Sequence, residues 1–426
     1  MTYKVLAANP GSSERKRDPA GQGLGTLPPG RAGLIVRWLH NPLAIVLVAI
    51  AFRILLIPSV LNWLGTPNDH FQGNEPSHIA AHLLRGEGFA SPFTELPIPT
   101  AQQPPLYPLF MAAIFELFGA FSKFSLYLIL AVNALAGGLT AFFIYRAGLK
   151  HLSPLVALLS AWTWAILAPV AMTDITLSSY AFATLVVLLW LNFVPDLPPK
   201  TRNWILLGIG VALMLLLNPM LALLIPASAR WLNRKQALVM LATALLGLAP
   251  WYVRNYRVMG HFYPALRDNF GMELYLGNHP GMSGTCDYWT GESPYGSELP
   301  KLGEARFFEV RRKEAIAFIE SAPMDFVWRS IKRFAAFWFS PWPIVYVLLL
   351  ALAISGIGLS PRGLAVFTVT LFVFYPMVFY VTQAAWPTAY RHPIEPLILL
   401  MAATPVCKLL QARYLNVIPK DATIPQ

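Results

Sequence analysis

The stretch PLAIVLVAIAFRILLIPSVLNWL, residues 42–64, decides the fold. At 1.5 Å per residue it can cross about 30 Å of hydrocarbon, and Arg53 is its only charge. A helix of this composition offers no polar face to water, so it belongs in lipid. Arg53 must then face the bundle interior or an aqueous cavity, either as a structural partner or as a ligand-site cation. The residues before it, including GSSERKRDPAGQGLGTLPPGRAG, are rich in Gly, Pro and charge and lack the apolar centre of a signal peptide. Residues 1–38 therefore read as a disordered cytoplasmic tail. No small-residue cleavage site is present, so 42–64 reads as an uncleaved first transmembrane helix.

Composition extends that reading to the whole chain. Of 426 residues, 56% are hydrophobic and 12% charged, and the mean hydropathy is +0.52. A soluble domain carries about 25% charged residues. Too few polar side chains remain here to cover a water-facing surface. Apolar runs recur near 105–120, 124–147, 152–170, 174–194, 204–218, 219–233, 236–253, 342–359, 363–382 and 393–410. These predict an all-α, polytopic transmembrane bundle of ten or eleven spans. Asn218-Pro219 divides one continuous apolar stretch, because Pro lacks an N–H and disfavours a helical residue before it. Segment 105–120 is either a full or a half-inserted span.

The formal charge of +11 does not point to nucleic acid, since no recognition module and no continuous basic face accompanies it. Lys and Arg sit mostly at the ends of apolar runs, where they orient helices. The tail, Arg146/Lys150, Lys200/Arg202, Arg230/Arg234/Lys235, Arg362 and Lys408/Arg413 are assigned to the cytoplasmic side. The 65–104 loop, the 255–325 loop and WPTAYRHP then lie outside. The domain reading is a 1–38 tail, a 39–254 membrane core containing the 65–104 loop, a 255–341 loop subdomain, and a 342–426 C-terminal membrane part. Within the third part, GEARFFEVRRKEAIAFIE predicts an amphipathic helix, and FVWRSIKRFAAFWF a helix lying in the membrane interface with Arg329, Lys332 and Arg333 on its polar side. Cys286 and Cys407 fall on opposite sides of the bilayer, which disfavours a disulfide.

The first outer loop concentrates chemistry. In DHFQGNEPSHIAAHLLRGEGF, residues 69–89, Pro76 after Asn74 and Glu75 starts a short helix, and Gly86 or Gly88 ends it. Three readings of this loop stand side by side. A carboxylate at the water–lipid boundary can act as general base on an acceptor hydroxyl. Glu75, His78 and His82 share a helix face at spacings of three and four, which admits a divalent cation, although no Glu lies between the histidines as in HExxH. The third reading is an ordinary solvated loop. No cofactor is called for.

NEPSHIAAHLLRGEGFASPF followed by PTAQQPPLYPLFMAAIFELFG resembles the first extracytoplasmic loop of the GT-C superfamily of polytopic glycosyltransferases. The likeness is to bacterial relatives of the protein mannosyltransferases and of the lipid A aminoarabinose transferases. It resumes in PWYVRNYRVMGHFYPALRDNFGMELYLGNHPG, in GEARFFEVRRKEAIAFI and in AYRHPIEPLILLMAA. The resemblance implies a sugar donor carried on a polyprenyl phosphate, and a lipid, glycan or protein acceptor outside a bacterial inner membrane. It implies that Glu75 is the loop acid and base, with Asp69 as the alternative register. It also implies cationic contacts to the departing phosphate, for which Arg254, Arg257 and Arg391 are the candidates, with Tyr390 and His392 beside Arg391 and with His78 on the helix of the acid. His78 stands where relatives often have Arg or Tyr. The segment after Asp174 lacks an acid that many relatives carry, and Asp174 is a candidate substitute. Glu395, two residues into an apolar helix, needs a partner such as Arg391 or Arg53. Asn269, Gly271, Gly277 and Asn278 read mainly as loop geometry, and Tyr288 and Trp289 as weak candidates for stacking on a sugar. Two other functions remain open, a transporter or flippase of lipid-linked intermediates and a non-catalytic assembly partner. Against transport stands the absence of an internal repeat.

Overall fold

The computed structural model describes residues 38–64, 71, 74–260, 262–264, 266–281, 297–383 and 385–415. The expectations for the 1–37 tail, Asp69, Cys286, Tyr288 and Trp289 lie outside the described residues. Residues 1–41 and 42–426 form separate units. In the first, the Asn41 N–H bonds the Trp38 carbonyl at 3.1 Å.

The second unit is built from helices: α1 Pro42–Leu64, α2 Glu75–Leu84, α3 Leu106–Phe118, α4 Lys123–His151, α5 Pro154–Ile166, α6 Ala168–Asp174, α7 Tyr180–Phe193, α8 Thr201–Leu217, α9 Leu224–Ala227 and α10 Arg234–Met259. It continues with α11 Phe270–Gly277, α12 Leu299–Leu302, α13 Glu304–Ser321, α14 Pro323–Phe339, α15 Pro343–Gly358, α16 Arg362–Phe374, α17 Met377–Val381, α18 Pro387–Arg391 and α19 Glu395–Leu415. Among the described residues no strand forms, and one antiparallel bridge joins Ala90 to Pro99.

The expectation of ten or eleven spans is corrected downward. Five helices are long and apolar enough to cross a membrane, and seven if each of two bent pairs counts as one span. The bent pairs are α5–α6, with an angle of 64°, and α14–α15, with an angle of 80°. Helix α3 has 13 residues, a rise of about 20 Å, which is short of a bilayer core. Helices α7 and α8 are similarly short. Asn218 does end α8, with an extended backbone and its side chain capping the Met220 N–H. A 3-10 turn, Pro219–Leu223, then leads into the four-residue α9, so 219–233 is not a span.

Helix α4 is the central post, packed against α1, α5 and α7, while α19 packs on α15 and α5. The charges within this framework are paired. Arg53 Nε and His392 Nε2 each lie 2.7 Å from an oxygen of Asp174. The remaining Arg53 donors reach the carbonyls of Ala49, Trp164 and Ala165. A Cβ at Gly137 would collide with Arg53 and Asp174, so glycine is what lets α4 approach the pair. Arg391 Nε bonds Glu395 at 2.7 Å, and Tyr346 donates to the other Glu395 oxygen at 2.6 Å. Glu395 thus has the partner that its apolar helix demands.

The segments assigned to one face by charge meet one another. Thr100 touches Glu304, Arg254 reaches Phe89, and Glu273 bonds Gln383. At the other end, Lys150 pairs with Asp196, and Lys408 bonds the Leu359 carbonyl. Helix α14 turns its apolar residues outward, with Met324 at 76% and Trp328 at 55% exposure. Its Arg329 and Arg333 are buried rather than solvated, which reverses the expected polar face. Both donate to the carbonyl of Gly277 at the end of α11. Arg333 also reaches Asn278 Oδ1 and the carbonyls of Tyr380 and Val381.

Candidate functional site

Helix α2 starts where the sequence places it. Asn74 Oδ1 caps the Ser77 N–H at 3.1 Å, and Pro76 occupies the first turn, where its missing N–H costs nothing. Asn74 Nδ2 also donates to the Leu177 carbonyl at 2.7 Å, which fixes the helix start against the α6–α7 connection. Glu75 is held in the first turn, at the positive end of the helix dipole. The chain after α2 turns at Gly86 and Gly88, both at positive φ, and doubles back through the Ala90–Pro99 bridge. That return lays Gln102 and Gln103 over the helix start. Gln102 Nε2 donates to Glu75 Oε2 at 3.3 Å, and Gln103 Nε2 donates to the same oxygen.

The second loop block closes over this pair. Leu266 has a left-handed backbone, φ 63°, which costs an L-residue about 1–2 kcal/mol. It is held there by burial and by a 2.9 Å bond from Trp251 Nε1 to its carbonyl. The next residue, Arg267, donates Nε to the Gln102 carbonyl at 2.7 Å. Among the described residues, none accepts from its two Nη atoms. Glu273 lies one helical turn into α11, with Asn269 Nδ2 on Oε1 and Gln383 Nε2 on Oε2, each at 2.7 Å. Gln383 Nε2 also reaches the Tyr390 hydroxyl at 2.8 Å. Burial pushes the Glu273 carboxyl above the usual carboxylate range, Arg267 and Gln383 oppose the rise, and Glu75 adds to it. Arg267, Glu273 and Glu75 all act on the Tyr180 hydroxyl, so the four groups share one polar cluster.

A clasp joins the two loops beside this cluster. Glu304, at the start of α13, accepts the Ala101 N–H at 2.7 Å and the Thr100 hydroxyl at 2.5 Å. Asp268 lies against it with both carboxyl oxygens buried. Burial raises both carboxyls above their ordinary range, and Glu304 is raised further by its neighbour, so the pair holds a proton between its members. Arg254 Nη1 and Nη2 grip the Thr100 and Phe89 carbonyls at 2.5 and 2.6 Å, and its guanidinium stacks on Phe89 and Trp251.

The residues singled out by sequence therefore fall into distinct places. Glu75 stands in the loop cluster, and Tyr390 borders it through Gln383. Arg254 braces the first loop from α10. Arg257 is exposed near the end of the same helix. Arg391 is 1% exposed, and its donors go to Glu395 and to the carbonyls of Phe337 and Ser340. His392 lies in the Asp174 pair, against the Trp164 ring. His78 packs near Phe121. His82 turns away from Glu75 to Glu87 and the Thr94 carbonyl. Among the described residues no three acidic, histidine or cysteine groups converge as metal ligands would. Sequence reasoning passes over Arg267, Glu273, Gln102, Gln103, Gln383, Asp268 and Glu304. The first two sit in RDNFGMELYLGN, whose Asn and Gly residues signal turns and draw attention away from the charges between them.

Residues 102–253 match the family model of dolichyl-phosphate-mannose-protein mannosyltransferase. No curated protein matches the chain. Two solved structures are similar in fold. One is the oligosaccharyltransferase of Archaeoglobus fulgidus, tethered to an acceptor peptide containing the NVT sequon. It is 15% identical, with 90% of this chain and 52% of that one covered and a TM-score of 0.48. The other is ArnT from Cupriavidus metallidurans bound to undecaprenyl phosphate. It is 12% identical, with 91% and 64% covered and a TM-score of 0.43. The chain thus spans between half and two thirds of the length of these proteins. The match over residues 102–253 places that part of the chain in the mannosyltransferase family, within the GT-C kind of polytopic membrane protein that its sequence blocks resemble.

Proposed function

We propose that the protein is a membrane glycosyltransferase that moves a sugar from a polyprenyl-phosphate donor to a hydroxyl of a lipid, glycan or protein acceptor. The observation that carries this reading is the placing of Glu75. Its carboxylate is fixed by Gln102 and Gln103 where the two loops meet, in one cluster with Arg267. A carboxylate so held can take the proton of an acceptor hydroxyl. The acceptor oxygen then bonds the anomeric carbon, and the bond from that carbon to the phosphate oxygen breaks. The carrier departs as a phosphate monoester with one more negative charge than the donor diester.

That added charge needs a cation in place beforehand. Arg267 suits it, because its Nε is anchored on Gln102 and its two Nη atoms present a planar fork of the kind that binds phosphate oxygens bidentately. Arg254 and Arg391 serve as supports in this reading, one for the first loop and one for the α14–α19 contact, since their donors engage protein groups. Arg257 is assigned to lipid headgroups. Asp69 is retained as the alternative base, and the outer face of a bacterial inner membrane as the location. The family match over residues 102–253 supports the reading. Membranes carrying Glu75→Gln, supplied with labelled lipid-linked sugars, should transfer about 100- to 10,000-fold more slowly than wild type. Transfer at the wild-type rate removes Glu75 from the role.

A further inference from the structure

The carboxylate of Glu273 has no part in the reaction as described, yet it lies in the same cluster. We propose that Glu273, with Gln383, Tyr390 and Gln102, binds the hydroxyl groups of the donor's sugar and sets which sugar is accepted. This rests on the glycosyltransferase reading.

Four observations carry it. Each Glu273 oxygen takes one hydrogen bond, from Asn269 or from Gln383, and each keeps a second lone pair able to accept a hydroxyl. These amide donors fix the plane of the carboxylate, as recognition of neighbouring hydroxyls requires. Gln102 is 3% exposed, donates to Glu75, and its Oε1 is buried with no partner among the described residues. Buried acceptors are rarely left so, and a sugar hydroxyl would satisfy this one. The polar groups are bordered by aromatic rings. Tyr390 stacks on Phe379 at 4.5 Å between centroids and 10° between planes, with Tyr180 edge-on at 6.2 Å. Acceptors beside aromatic faces suit a ring that is polar at its rim and apolar on its faces.

A purely structural role explains the acid poorly. The end of α11 is already tied to the end of α17 without it. Arg333 bridges Gly277 and Asn278 to the Tyr380 and Val381 carbonyls, and Asn278 Nδ2 bonds the Val381 carbonyl at 2.8 Å. Glutamine would hold Gln383 and Asn269 equally well and without the cost of burying an ionisable group.

The test uses the full chain in lipid nanodiscs. Binding is measured for a polyprenyl phosphate and for the same lipid carrying mannose, glucose or arabinose. In wild type, one glycosylated carrier should bind more tightly than the bare phosphate. Glu273→Gln should weaken that carrier about tenfold or more, leave the bare phosphate unchanged, and narrow the differences among the three sugars. Tyr390→Phe and Gln102→Leu should shift the same preference, which keeps the test available if Glu273→Gln fails to fold. Equal weakening of bare and glycosylated carriers would assign Glu273 to structure and overturn the proposal, as would no change in either. A wild-type protein that binds the bare phosphate without preferring any sugar overturns this inference alone. One that binds neither overturns the underlying function as well.

Discussion

The clasp between Glu304 and Asp268 makes the junction of the two loops sensitive to pH, and the direction is set by the shifts. In the opened loops both carboxyls titrate near pH 4. In the closed structure burial raises both, so the pair still holds a proton above that pH. The closed form therefore binds more protons than the open one. Its stability is fully present below about pH 4 and is lost as pH rises through the raised range of the pair. With one shared proton the slope cannot exceed about 1.4 kcal/mol per pH unit. Arg254 and Arg267, whose charges act on Asp268, limit the loss by favouring the ionised form.

Glu304→Gln isolates this contribution. The amide oxygen can still accept the Ala101 N–H, and the amide nitrogen can donate to Thr100 or Asp268, so the shape survives while the titration does not. Hydrogen exchange of the Thr100 and Ala101 amides is the suitable readout, because the first bonds the Phe89 carbonyl and the second bonds Glu304. After correction for the intrinsic chemistry of exchange, wild-type protection should fall with rising pH by at most about tenfold per unit. The variant should be flat across the same interval. A wild-type profile without slope, or a variant that keeps the slope, refutes the shared proton.

Two further outcomes concern the membrane core. Arg53→Met should cost about 3–5 kcal/mol, since it leaves Asp174 buried with only His392, whereas Arg53→Met combined with Asp174→Leu should cost less than Arg53→Met alone. Thermal unfolding in detergent checks this, and a double variant as unstable as the sum of the singles removes the coupling. Gly137→Ala should lower stability by about 1–3 kcal/mol, because the methyl group meets Arg53 and Asp174, while Gly210→Ala, whose Cβ meets nothing, should be neutral or mildly stabilising. Equal melting shifts for the two glycines would contradict the close approach of α4.

The membrane class and the start of α2 are legible in the sequence because both depend on local signals. Residues 42–64 can only be a lipid-facing helix, and Asn74-Glu75-Pro76 carries its cap, its first-turn acid and its proline within three positions. The number of spans is not legible, because hydropathy registers apolar runs and not where a run breaks. Pro219 starts a 3-10 turn, and α5 bends into α6 within a run that reads as continuous. The partners of Arg391 and Arg333 are hidden for a different reason. Both arginines look free in sequence, and their acceptors are backbone carbonyls from distant segments, Ser340 for one and Val381 for the other. Arg267 and Glu273 escape notice because neither stands in an apolar run, where a charge would be conspicuous.

That contrast separates the charges that hold the bundle from those that could act on a ligand. Arg53, Asp174 and His392 satisfy one another, as do Arg391, Glu395 and Tyr346. In each set the donors that remain on the guanidinium end on carbonyls. A charge in hydrocarbon survives only under such closure, so an intramembrane arginine in this fold is first a structural residue. The loop cluster is built the other way. Arg267 keeps two donors without acceptors among the described residues, Gln102 keeps a buried acceptor without a donor, and two carboxylates stand around one cation. An arrangement left open on both its donor and its acceptor side costs stability unless something polar fills it. A sugar phosphate carries hydroxyl donors and anionic acceptors in one molecule, which are the two kinds of group that the cluster leaves unmatched.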